Sequence, residues 1–188
     1  MSRKIKMWRD PYGEGFNTCK KREIVIEPGL TVLVGCNGAG KTTMLCNVAE
    51  ELKNENIPVF QFDNTRDGGS YSIDESIATG NYSFGATAMC SSEGESINLN
   101  LGKSAAKWKR FIETGDDGDR KRRLVKAFRK VNGEEVEEKE VPNERWILLD
   151  AVDSGFSVDN VVEMKDLFRL VMDDAAAKGI ELYIVVSA

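Results

Sequence analysis

Eight consecutive residues concentrate the chemistry of this chain. Gly35-Cys36-Asn37-Gly38-Ala39-Gly40-Lys41-Thr42 matches the pattern G-x-x-x-x-G-K-[ST] in full. A triphosphate carries several negative charges and needs many donors in a small space. Glycines let the backbone curl so that successive N–H groups point inward. A helix starting near Lys41 adds its positive dipole end. The Lys41 ammonium is expected to reach the β and γ phosphates, and the Thr42 hydroxyl to bind Mg²⁺. Asn37, Gly38, Ala39, Gly40 and Thr43 complete the expected cradle. A buried strand ahead of the loop and a helix behind it supply the context that the bare pattern requires.

A phosphate-bound Mg²⁺ needs a further acid to hold its water shell, placed at the end of a neighbouring apolar strand. Asp150, directly after Trp146-Ile147-Leu148-Leu149, meets that requirement. The competing reading of Asp150 is a turn aspartate that closes a strand. Other chemistries are argued against by composition. The 188 residues contain no histidine, and Cys19, Cys36, Cys46 and Cys90 share no metal-ligand spacing. A zinc site, a Ser-His-Asp triad and a Cys-His pair are thereby disfavoured, and the cysteines read as reduced, mostly buried thiols. A net charge of −5 argues against a surface that coats nucleic acid as a whole, though not against a local basic patch. No apolar run approaches the roughly 20 residues of a membrane span. The basic N-terminus, Met1 to Asp10, lacks the apolar stretch of a signal peptide. A cytoplasmic location is expected.

The elements that must position these groups follow from periodicity. Arg22 to Glu27 alternates polar and apolar residues, as a half-buried strand does, and Pro28-Gly29 turns the chain. Leu30 to Val34 is a short continuous apolar run and predicts a strand buried on both faces. Thr42 to Asn54 predicts a helix with Met44, Leu45, Val48 and Leu52 on one face, stopped by Asn56-Ile57-Pro58. Val59 to Phe62 predicts a strand. Asp63 to Ser83 reads as a long polar loop, and Ser96 to Ile112 as a helix of moderate periodicity. Thr114 to Pro142 stays open between two forms. One is a hairpin about Asn132-Gly133 that pairs a basic strand with an acidic one; the other is a short helix with Leu124, Phe128 and Val131 on one face. Trp146 to Leu149 predicts a buried strand, Ser157 to Lys178 an amphipathic helix ended by Gly179, and Ile180 to Val186 a last strand. Strands alternating with helices imply an α/β fold with a mainly parallel central sheet. An N-terminal antiparallel β element is expected beside it.

In this order the motifs resemble those of the ABC-type ATPases, including their SMC and RecF-like branch. GCNGAGKTT is similar to the family's G-x-N-G-[AS]-G-K-[ST]-[TS] loop, and Leu148 to Ser157 (LLDAVDSGFS) to its Walker B and D-loop stretch. Ser91 to Glu95 (SSEGE) is similar to its signature motif, and Gln61 stands where its Q-loop glutamine would. The likeness covers residues 22–63, 90–102 and 146–188, and leaves out a charged insertion at about 103–145. It implies one nucleotide-binding domain over 1–188, with ATP and Mg²⁺ as ligands. It also implies a head-to-tail homodimer in which Ser92 and Gly94 of one copy contact the γ phosphate held by the other. Thr42, Gln61 and Asp150 become the implied metal ligands, and Ser154 and Gly155 interface residues. Tyr12, with Trp8 and Phe16 near it, becomes a candidate to stack on adenine.

Two departures bear on catalysis. The residue after Asp150 is glutamate in the family and acts there as general base; here it is Ala151, which cannot accept a proton. Asp153 is the nearest replacement, at a position the family gives to its D-loop. The family's switch histidine would follow Ser187-Ala188, where the chain stops; either the chain is a fragment or the family's C-terminal part is absent. Slow hydrolysis gating a protein or DNA partner is the favoured reading. The rivals are a sensor that binds nucleotide without hydrolysing it and a P-loop kinase with an arginine-rich lid around Arg120. DNA contact by the basic residues between Lys103 and Lys130 competes with a self-paired, solvated face.

Overall fold

The computed structural model describes residues 2–8, 23–63, 105–116, 128, 141–150 and 158–187. Strands β1 (Arg3–Lys6) and β2 (Glu23–Ile26) form an antiparallel pair, with Arg3 opposite Ile26 and Lys6 opposite Glu23. Strands β3 (Gly29–Leu33), β4 (Val59–Asp63), β5 (Glu144–Asp150) and β6 (Glu181–Ser187) form a wholly parallel sheet in the order β3-β6-β5-β4. Helix α1 (Lys41–Asn54) joins β3 to β4, a helical segment α2 over residues 105–114 lies between β4 and β5, and α3 (Val158–Ala177) joins β5 to β6. The expected α/β class and the separate antiparallel element are both present.

Strand order explains the layers. The β3-to-β4 connection crosses the sheet in one direction, and the β4-to-β5 and β5-to-β6 connections return in the other. Right-handed crossovers running in opposite directions must lie on opposite faces. The packing agrees. Phe60, Ile147, Leu149, Ile184 and Val186 face α2 and α3, where they meet Trp108, Phe111 and Phe168. The alternate residues Val59, Trp146, Leu148, Tyr183 and Val185 face α1 and the β1–β2 pair, where they meet Leu45, Val48, Leu52 and Ile5. Period-two alternation in strands that are apolar on both sides thus builds two cores. Trp146 and Tyr183 stack between neighbouring strands at 4.2 Å, and burial pushes the Tyr183 phenol above its ordinary pKa.

Both long helices stop as the sequence predicts. Asn56 (φ 59°) and Gly179 (φ 67°) take the left-handed conformation. The N–H of Ile57 reaches Leu52 O and that of Asn56 reaches Lys53 O, while Ile180 reaches Ala175 O and Gly179 reaches Ala176 O. Each is a Schellman ending with an apolar residue just beyond it.

Two expectations change. Leu30 to Val34 is not buried on both faces. Strand β3 is a sheet edge among the described residues, and Leu30, Val32 and Val34 are 42 %, 50 % and 84 % exposed. An apolar run cannot say whether its strand lies at the centre or the margin of a sheet. Cys36 and Cys46, expected to be buried, are exposed, the first in the glycine-rich loop and the second off the buried stripe of α1. The helix expected from Ser96 is described only from 105 on, where Trp108 and Phe111 are buried. The hairpin and helix readings of 114–142 fall largely outside the described residues, although Phe128 is helical there.

Arg145 joins these parts. It is 4 % exposed, and burial lowers the pKa of its guanidinium. Its Nε donates to Ile112 O (3.2 Å) at the end of α2, and its Nη1 to Glu144 O (3.0 Å) and Pro142 O. A cation at a helix carboxyl end is favourable, and these carbonyls have lost water. Arg145→Ala should cost on the order of 2 kcal/mol and lower the melting temperature by roughly 4–8 °C. A melting curve that matches the parent protein would contradict this role.

Candidate functional site

The glycine-rich loop begins where β3 ends, and a tight turn opens it. Ala39 N donates to Cys36 O at 3.1 Å, with Asn37 and Gly38 between them. Gly38 has φ +81°, the value that the third position of a type II turn requires. Gly40 (φ 90°, ψ 18°) is the N-cap of α1 and accepts from Met44 N at 2.9 Å. Having no side chain, it cannot cap the helix. The first turn of α1 also contains no acidic residue. The amino end of a 14-residue helix therefore presents N–H groups and a positive dipole end with no side-chain cap and no first-turn acid. Lys41 adds a full positive charge. Its Nζ donates to Gly35 O and Cys36 O, so the ammonium spans the mouth of the loop. A Cβ on Gly35 would approach Ala39 Cβ to 3.2 Å, which shows how tightly the loop is wound.

The parallel strands carry a second set of groups to the same end of the sheet. Register places Leu33 beside Ser187 and Asp63 beside Asp150. The loop, Ser187 and Asp150 thus lie on successive strands at the carboxyl end of the sheet, where open α/β sheets bind their ligands. Ser187 is fully buried, and its Oγ donates to Asp150 Oδ1 at 2.5 Å. Nothing in the sequence marked Ser187. Its contact depends on which strand lies beside β5, and a local pattern does not encode that.

A cavity of about 270 Å³ adjoins the loop, lined by Met7, Trp8, Val34, Gly40, Thr43 and Met44 among others. Its size is close to the lower end of small-ligand pockets, and its walls are mostly apolar with a few polar groups. Asn47 fixes one wall. It is 1 % exposed, its Nδ2 donates to Lys6 O (3.0 Å), and its Oδ1 accepts from Trp8 N (2.9 Å). The carboxamide therefore pairs with the chain leaving β1 as a neighbouring strand would. The signal for Asn47 was a polar residue inside the apolar stripe of α1, a position that demands a partner.

The other predicted residues divide into two groups. Lys41, Thr42, Thr43 and the loop from Asn37 to Gly40 come together at the start of α1, with Thr42 exposed. Gln61 does not join them. It lies two residues short of the end of β4, and its Oε1 accepts from Lys53 Nζ (2.7 Å) in the last turn of α1, three turns from Thr42. Tyr12, Ser92, Gly94 and Asp153, with Ala151, Ser154 and Gly155, lie outside the described residues. Of the aromatics considered for base stacking, Trp8 is described and lines the cavity.

Comparison of the chain with protein-family models, with curated proteins and with solved structures finds no match.

Asn47→Ala would leave the Lys6 carbonyl and the Trp8 amide without their buried partner. A loss of about 1–3 kcal/mol in urea denaturation is expected. Unchanged stability would mean that the clamp contributes nothing.

Proposed function

We propose that this chain is an ATP-binding protein of the ABC and SMC-like class, in which Mg²⁺-ATP held at Gly35–Thr43 brings two copies together. One observation carries the reading. A helix without a side-chain cap, entered through two left-handed glycines and bearing Lys41, opens at the carboxyl end of a parallel sheet in which Asp150 ends the next strand but one. That arrangement suits a polyphosphate and little else. The triphosphate would take donors from the loop and from the first turn of α1. Lys41 would exchange the Gly35 and Cys36 carbonyls for β and γ phosphate oxygens. The cavity beside the loop, with Trp8 and Met44 in its wall, is where the nucleoside would extend.

The residues present fit Mg²⁺. Among the described residues no group of three or more His, Cys, Asp or Glu forms a metal cage. Mg²⁺ does not need one, because it commonly takes one or two carboxylates and completes its shell with phosphate oxygens and water. Thr42 and Asp150 would hold it, and when bound it neutralises phosphate charge. Hydrolysis would be slow, because Ala151 follows Asp150 where a general base is expected. Ser92 and Gly94 would complete the site in the second copy. A nucleotide-switched pair of this kind would gate a protein or DNA partner.

Three measurements test the proposal. ATP with Mg²⁺ should raise the molar mass by light scattering to that of a dimer, and Ser92→Arg should abolish the change. Lys41→Ala should weaken ATP binding at least about tenfold, the loss expected when a charge-assisted contact worth about 1.5–3 kcal/mol is removed. ATP binding that ignores Lys41→Ala would contradict the site, and a mass that ignores ATP would contradict the dimer. Phosphate release should stay below about one turnover per second, at the foot of the usual enzyme range. Faster turnover would refute the role given to Ala151.

A further inference from the structure

Ser187 is the last residue of β6, the strand that lies between the loop-bearing strand and the strand carrying Asp150. It closes a run of buried apolar residues, Leu182 to Val186, and is itself fully buried. A hydroxyl costs stability at such a place unless it is bonded, and the apolar residues before it show what the position could hold instead. Its Oγ stands 2.5 Å from Asp150 Oδ1, the separation of a charge-assisted O–H···O⁻ bond. The hydroxyl has one proton to give, and that proton is aimed at the carboxylate.

We propose that Ser187 is a positioning residue for a divalent cation: its hydroxyl binds Asp150 Oδ1, restrains the carboxylate, and leaves Oδ2 as the coordinating oxygen. The inference rests on the reading of Asp150 as the acid of a Mg²⁺-nucleotide site. The rigidity of β6 makes the arrangement effective. Ser187 pairs with Leu33 of β3, and the residue before it, Val186, pairs with Leu149 of β5, so the end of β6 is held within the sheet. A carboxylate at a strand end has two free side-chain rotations; one strong hydrogen bond removes that freedom before the cation arrives. Partners that orient metal ligands in this way typically carry a tenfold to hundredfold effect on metal affinity.

The test compares ATP affinity in excess Mg²⁺ with ATP affinity in EDTA, by calorimetry, and takes the ratio as the metal contribution. Five proteins are needed: the parent chain, Ser187→Ala, Ser187→Thr, Asp150→Asn and the double variant of Ser187→Ala with Asp150→Asn. In the parent, Mg²⁺ should strengthen binding, and Asp150→Asn should remove that gain. Ser187→Ala should reduce the ratio by about tenfold or more while leaving the EDTA affinity unchanged. Ser187→Thr, which keeps the hydroxyl, should restore the ratio. Adding Ser187→Ala to Asp150→Asn should change nothing further.

A parent-like ratio in Ser187→Ala, together with a lost ratio in Asp150→Asn, overturns the inference and leaves the nucleotide site standing. Equal weakening with and without Mg²⁺ also overturns it, because Ser187 would then support the fold rather than the carboxylate. A parent chain that gains nothing from Mg²⁺ refutes the underlying reading of Asp150, and the role of Ser187 falls with it.

Discussion

The amino end of α1 is the constraint on which the rest of the molecule turns. A helix normally satisfies its first N–H groups with a side-chain cap or an acidic first turn. Here the cap residue is Gly40, no acid stands in the first turn, and the first helical residue is Lys41, which adds its ammonium. Positive charge is collected where helices usually dissipate it. Such an end favours an anion, and the left-handed turns at Gly38 and Gly40 lead the chain into it.

The remainder of the fold holds that end in place. The buried stripe of α1 packs on the sheet face formed by Trp146, Leu148, Tyr183 and Val185, so its axis is set by the two central strands. Those strands also carry Asp150 and Ser187 to the same edge. The opposite face is closed by α2 and α3, which hold β5 and β6 from behind. Asn47 then couples the helix to the chain leaving β1 and sets one wall of the adjoining cavity. Binding geometry and core packing are thus the same set of contacts seen from two ends of the strands.

What could be read from the sequence was what depends on near neighbours along the chain. The runs at Trp146 to Leu149 and Ile180 to Val186 announced buried strands, and Asn56 and Gly179 announced helix ends, because conformational preference at those residues is local. The loop itself was legible for the same reason. What could not be read depends on strand order. The exposed side of β3 follows from its marginal place in the sheet, and the Ser187–Asp150 bond from the insertion of β6 between β3 and β5. The contact of Gln61 with Lys53 likewise follows from the packing of α1 beside β4 and not from the residues next to Gln61 in the chain.

The most direct test of the anion site is to follow the backbone amides themselves. In a ¹⁵N–¹H correlation spectrum titrated with Mg²⁺-ATP, the amides of Gly38, Gly40, Lys41 and Thr42 should move first and furthest, with shifts characteristic of hydrogen bonding to phosphate. Inorganic triphosphate should move the same four, because the loop is expected to read the phosphates rather than the base. Large shifts confined to other parts of the chain, or none at saturating nucleotide, would contradict the account at its foundation.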